Sequence, residues 1–120
     1  MARVLVVDDA AFMRMTIKNM LEENGHTMAG EAGNGIEALE KYEKVKPDVV
    51  ILDITMPEMG GIEALKRIKA MDPKARVVIC SAMGYRAQLA EAIENGAEQF
   101  IVKPFEPSHL IGAIEKVMRK

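Results

Sequence analysis

Three carboxylates, one ammonium and one hydroxyl stand where the apolar runs of this chain stop. Asp8 and Asp9 follow Val4-Leu5-Val6-Val7, and Asp53 follows Val49-Val50-Ile51-Leu52. Ser81 follows Val77-Val78-Ile79-Cys80, and Lys103 follows Phe100-Ile101-Val102 and is set into a turn by Pro104. Gathered on one edge, such charges repel or desolvate one another unless they bind something. Hard carboxylate oxygens suit a magnesium ion, which requires an octahedron of oxygens and keeps some of its waters. Carboxylates, one backbone carbonyl and a phosphoryl oxygen would complete that shell. Asp53 is then the candidate nucleophile, its carboxylate attacking phosphorus to give a mixed anhydride. Phosphoryl transfer needs mainly positioning and charge neutralisation. Lys103 would supply an ammonium for one phosphoryl oxygen and Ser81 a hydroxyl for another.

Each residue also has a plainer role. Asp9 can cap the helix that follows it, since Asp is a preferred N-cap. Asp53 can be a loop residue before a proline turn, Ser81 a cap of the fourth helix, and Lys103 a solvated charge. Their joint occurrence at successive strand ends argues for one site.

The elements that must position them alternate regularly. Short β-branched runs separated by helical stretches read as parallel strands buried on both faces, and the carboxyl ends of such strands form the ligand crevice. After the first strand, Phe12, Ile17, Met20 and Leu21 recur at helical spacing, with Gly25 placed to end the helix. Thr27 to Glu31 is a weaker strand, interrupted by Gly30 and expected at the sheet edge. Ile36, Leu39 and Tyr42 mark a second helix that stops before Lys46-Pro47. Val49 to Leu52 is strand three, and Met56-Pro57-Glu58-Met59-Gly60-Gly61 is a loop. Ile62, Leu65 and Ile68 mark helix three, ended by Asp72-Pro73. Strand four is Val77 to Cys80, helix four carries Leu89 and Ile93 and ends at Asn95-Gly96, and strand five is Phe100 to Val102. Leu110, Ile111, Ile114 and Val117 form the last helix, with Pro107 and Ser108 at its start. The pattern predicts an α/β fold, a (βα)5 doubly wound parallel sheet, over residues 1–120 as one domain.

Composition narrows the function classes. A chain of 120 residues can bury a core without staples. The net charge of −2 and a pI near 5.7 argue against an electrostatic nucleic-acid binder. The single Cys80 points to a reducing compartment. No secretory signal and no apolar stretch of about 20 residues is present, so the expected setting is the cytoplasm, away from membranes. Two rival chemistries fit poorly. A flavodoxin-type flavin site needs an anion-accepting loop after its first strand, where Asp8-Asp9 would repel phosphate. A haloacid-dehalogenase-type hydrolase carries a second acid two residues after its nucleophile, where this chain has Thr55.

With these residues in view, the whole chain resembles the receiver domain of bacterial response regulators, most closely those of CheY-type chemotaxis regulators. Val6 to Arg14 resembles their acidic pair and first helix, and Leu52 to Gly61 the phosphoacceptor segment. Cys80-Ser81-Ala82-Met83-Gly84 resembles the hydroxyl-alanine step, and Phe100 to Phe105 the lysine-proline end. The strand order this implies is 2-1-3-4-5, for which CheY itself is a standard example. By this resemblance Asp53 is the phosphoacceptor, Asp9 contacts Mg2+ directly, Asp8 does so mainly through water, and the Thr55 carbonyl is the remaining protein ligand. Ser81 and Phe100 would form a coupled switch pair, and Lys103-Pro104 a cis peptide. Phosphorylation would draw the Ser81 hydroxyl inward and let the Phe100 ring turn from exposed to buried, a population shift between two packings.

The function so implied is that of a monomeric, stand-alone regulator rather than a metabolic enzyme. It would take a phosphoryl group from a histidine kinase, bind the flagellar motor switch when phosphorylated, and be reset by slow self-hydrolysis or a phosphatase. Two alternatives are a phosphorelay intermediate docking through helix one, and a receiver cut from a larger DNA-binding or enzymatic regulator. Elsewhere the residues invite plain readings. His26 and His109 lack metal-ligand spacing and are expected on the surface, Cys80 is expected inert in the core, and Gly33-Asn34-Gly35 is a turn. Met13, Met15 and Met20 can form a soft binding surface, although core filling and plain surface placement explain most of the methionines equally well and are the preferred reading of Met20.

Overall fold

The computed structural model describes residues 1–56 and 58–119. Pro57 of the expected loop and Lys120 at the expected end of the last helix lie outside the described residues. Strands and helices alternate as β1 (Arg3–Val7), α1 (Ala11–Glu23), β2 (Thr27–Ala32), α2 (Gly35–Val45), β3 (Val49–Asp53), α3 (Gly61–Met71), β4 (Val77–Ala82), α4 (Arg86–Glu94), β5 (Gln99–Lys103) and α5 (Pro107–Met118). All strand pairs are parallel, and the sheet order is β2-β1-β3-β4-β5. The doubly wound (βα)5 architecture expected from the alternation is the one observed.

Why both faces of the sheet are apolar follows from the strand period of two. Leu5, Val7, Val50, Leu52, Val77 and Ile79 point to one side and pack with Ala38 and Tyr42 of α2, Leu65 and Ile68 of α3, and Ala92 of α4. Val4, Val6, Val49, Ile51, Val78, Cys80 and Ile101 point to the other and meet Ile17 and Leu21 of α1 and Leu110, Ile114 and Val117 of α5. The chain's winding reverses between β1 and β3, so the crevice opens where Asp8, Asp9 and Asp53 leave those strands.

Several side chains stand elsewhere than their pattern suggests. Phe12 is 79% exposed and Ile93 44% exposed, although both fall on apolar positions of their helices. In α4 it is Ala92 that is buried, because the small side chain lets this short helix approach the sheet. His26 is buried rather than on the surface: its Nδ1 accepts a hydrogen bond from the Ala2 backbone N–H at 3.0 Å. The imidazole thereby satisfies a main-chain donor beside the start of β1. His109 is exposed, and its Nδ1 accepts from the Glu106 N–H at the start of α5.

Candidate functional site

The two acidic strand ends are built differently. β1 runs out at Val7, and the Asp8 N–H still donates to the Ala32 carbonyl of β2 at 3.1 Å. The Asp8 carboxylate then turns both ways, one oxygen accepting from the Ala10 N–H at 2.9 Å and the other from Lys103 Nζ at 2.9 Å. Asp9 does not cap α1; the N-cap position is Ala10, which has no side-chain cap. Among the described residues the exposed Asp9 carboxylate has no hydrogen-bond or ion-pair partner, which leaves it available to a ligand.

Asp53 is the last residue of β3 and is buried. The start of α3 presses on this strand end. The Gly61 N–H donates to the Ile54 carbonyl at 2.8 Å, and a Cβ on Gly61 would collide with the Asp53 carbonyl oxygen. Only glycine permits that approach, which fixes the backbone from which the Asp53 carboxylate projects. Lys103, at the end of β5, extends its ammonium across the crevice to within 3.6 Å of Asp53 Oδ2. The peptide between Lys103 and Pro104 is cis.

Oxygens of Asp8, Asp9 and Asp53 all lie within 4.8 Å of one another. Burial pushes the Asp53 carboxyl up to about 6; Lys103 and the Thr55 amide pull it down, while Asp8 and Asp9 add to the rise. Burial pulls the Lys103 ammonium down, yet its bond to Asp8 and the field of Asp53 more than offset this, and it titrates above its ordinary value. Two of the three carboxylates, Asp8 and Asp53, thus share one ammonium while Asp9 stands beside them without one, an arrangement that a divalent cation would relieve.

Other expected site residues stand close by without joining this cluster. Ser81 is buried at the end of the apolar run of β4, but its hydroxyl donates to the Ala82 carbonyl at 2.9 Å rather than to Asp53. Phe100 is 47% exposed. Ser81, Met83, Leu89 and Phe100 line a surface cavity of about 410 Å³. Thr55 is exposed beside Asp53, and among the described residues no hydrogen bond reaches its carbonyl. Cys80 lies in the core, where burial pushes its thiol up to about 12 and keeps it unreactive.

Sequence reasoning did not find Arg14 or Glu31 at the site. Arg14 Nη1 donates to the Asp8 carbonyl and its Nε to the Glu31 carboxylate. The first contact crosses a helix start and the second joins two elements, so no periodic signal announces either.

A family model for the response regulator receiver domain matches residues 4–115. The chain is 56% identical over 117 residues to the chemotaxis protein CheY of Thermotoga maritima, covering 98% of each. It is 53% identical to CheY of Bacillus subtilis, covering 97% of each. Among solved structures, it superposes with a TM-score of 0.93 and 35% identity on a chain of the CheX–CheY–BeF3–Mg+2 complex from Borrelia burgdorferi, covering 98% of this chain and 90% of that one.

Proposed function

The chain belongs to the response regulator receiver domain family and is closely CheY-like, and from that premise we propose that it is a stand-alone chemotaxis regulator phosphorylated on Asp53. A histidine kinase would be the donor. The observation that carries this reading is the clustering of Asp8, Asp9 and Asp53 within 4.8 Å beside the Lys103 ammonium. The identity of 53–56% to the CheY chains of T. maritima and B. subtilis supports the chemotaxis reading.

The donor set fits magnesium: three carboxylates, all hard oxygen donors, one of them without a side-chain partner among the described residues. Asp8, Asp9 and Asp53, with the Thr55 carbonyl, would hold the ion, which would neutralise charge on the transferring phosphoryl group. The remaining work belongs to the side chains. One Asp53 oxygen forms the new O–P bond while the N–P bond of the phosphohistidine breaks, and its electron pair leaves with the imidazole nitrogen. Asp53 reacts only as the carboxylate, so protonation of this buried group at acid pH opposes uptake. Lys103, already between Asp8 and Asp53, needs only a small displacement to reach a phosphoryl oxygen.

The Ser81 hydroxyl rotates from the Ala82 carbonyl toward the phosphorylated carboxyl. Phe100 turns from its exposed position toward the cavity beside Ser81. The altered surface of α4, β5 and α5 then binds the flagellar motor switch, and a phosphatase or self-hydrolysis resets it. In this reading the chain works as a monomer in the cytoplasm. Among the described residues no helix is long and apolar enough to cross a membrane.

Intact mass after incubation with acetyl phosphate tests the reading. One labile phosphoryl adduct is expected with Mg2+, and none after chelation or in Asp53→Asn. An adduct that persists in Asp53→Asn, or none in the wild type, would overturn it. Binding to a motor-switch peptide only in the phosphorylated form would then secure the chemotaxis assignment.

A further inference from the structure

The acidic segment is gripped by a side chain outside the charged cluster. Arg14 lies within the first turns of α1, and its side chain is only 19% exposed. It folds back so that Nη1 donates to the Asp8 carbonyl oxygen at 2.6 Å, while Nε donates to Glu31 Oε1 on the edge strand β2 at 2.6 Å. The two contacts use the guanidinium fork in two directions at once, one toward the backbone of the site and one toward a brace.

The grip acts on Asp9 more than on Asp8. Asp8 has other anchors through its N–H and both carboxylate oxygens, on Ala32, Ala10 and Lys103. Asp9 has no side-chain partner among the described residues. The peptide joining the two is planar, and the Cα of Asp9 lies in its plane. Holding the Asp8 carbonyl oxygen therefore sets the plane from which the Asp9 carboxylate projects. We propose that Arg14, braced by Glu31, is a positioning residue for the cation site and places Asp9 by fixing the Asp8–Asp9 peptide. This rests on the reading of the cluster as a Mg2+ site.

The sign of the effect separates positioning from simple electrostatics. A guanidinium near a cation site repels the ion, and its removal would leave Glu31 unpaired and the region more negative. Coulomb's law alone then predicts tighter Mg2+ binding on loss of Arg14. Positioning predicts weaker binding. A lysine cannot replace the fork, because one ammonium on a flexible stem does not span both acceptors with the same geometry.

The test is Mg2+ titration by calorimetry of the unphosphorylated protein, comparing wild type with Arg14→Met and Arg14→Lys at a temperature where circular dichroism shows all three folded. Loss of a partner that orients a metal ligand costs about 10–100-fold in affinity, so the dissociation constant is expected to rise about tenfold in both variants. In parallel, the rate of phosphoryl uptake from acetyl phosphate should need more Mg2+ for half-saturation but reach the wild-type maximum. If Arg14→Met does not fold, Arg14→Lys decides alone. Unchanged or tighter Mg2+ binding in a folded variant, beside a wild type that binds, would overturn the positioning role. A wild type that binds no Mg2+ would instead overturn the reading of the site, and the inference with it.

Discussion

The two ends of the sheet carry the same kinds of charge and treat them in opposite ways. At the amino end of the strands charged side chains join neighbouring elements through matched partners. Lys69 Nζ donates to the Ala75 carbonyl at 2.5 Å and to Glu98 Oε2 at 2.9 Å, while Glu98 Oε1 accepts from the Val77 N–H at 2.9 Å. The Arg3 guanidinium donates to the carbonyls of Val45 and Lys46, and the Arg3 N–H donates to Asp48. The Tyr42 hydroxyl donates to Asp72 at 2.8 Å. At the carboxyl end, Asp8 and Asp53 share Lys103, Asp9 lies beside them with no ion-pair partner among the described residues, and the Asp53 carboxyl is held up at about 6. Charges at the first end hold elements together. Those at the second hold a surplus of negative charge that folding does not resolve, which is what a site for a cation and a phosphoryl group requires.

Substitutions at each end should therefore fail in different ways. The largest effect is expected from Lys103→Met. Removing a group that stabilises developing negative charge typically costs about 100–1000-fold in rate, and phosphoryl uptake should slow on that order while the amino-end contacts stay intact. Glu98→Ala should do the reverse. It breaks a charge-assisted bond and leaves the Val77 N–H unpaired, lowering stability in urea by about 2 kcal/mol with unchanged uptake.

On stability, where Asp53→Asn can be compared with the amino-end variants, a smaller effect with a definite pH dependence is expected from that substitution. The folded carboxyl titrates at about 6, above its ordinary 3.8, so between these values the folded state keeps a proton that the unfolded chain has released. Wild-type stability from this group is full below the lower value and is lost as pH rises through the upper one. After allowing for screening at the open side of the crevice, the variant should be more stable at neutral pH by about 1–2 kcal/mol. The gap should close by about pH 4, as urea denaturation at each pH would show. Smallest is Tyr42→Phe at the amino end, expected to cost about 1 kcal/mol through the lost bond to Asp72.

How far this contrast can be read without coordinates differs between the two ends. The carboxyl-end residues declare themselves because each interrupts an apolar run, and strand period and helix punctuation suffice to set Asp8, Asp9, Asp53, Ser81 and Lys103 on one edge. The alternation also suffices for the doubly wound sheet. The amino-end network is silent in the sequence, since Lys69, Glu98 and Val77 belong to three elements whose packing brings them together. His26 reads as a surface histidine because its partner is a backbone N–H, which no pattern advertises. Phe12 and Ile93 show a further limit: helical spacing marks a stripe but not how far it reaches into the core. Arg14 is hidden for both reasons, joining a carbonyl before its own helix to a carboxylate on the sheet edge.

Whether the carboxyl-end cluster is a cation site is decided most directly by the thermal stability of the unphosphorylated protein with and without Mg2+, beside an Asp8→Asn/Asp9→Asn double variant. A ligand at a hundred times its dissociation constant stabilises a folded protein by about 2.7 kcal/mol, enough to raise the midpoint by about 5 °C or more for a domain of this size. That rise is expected for the wild type at neutral pH, a smaller one at acid pH where Asp53 holds its proton, and almost none for the double variant. An equal rise in the double variant, or none in the wild type, would contradict it.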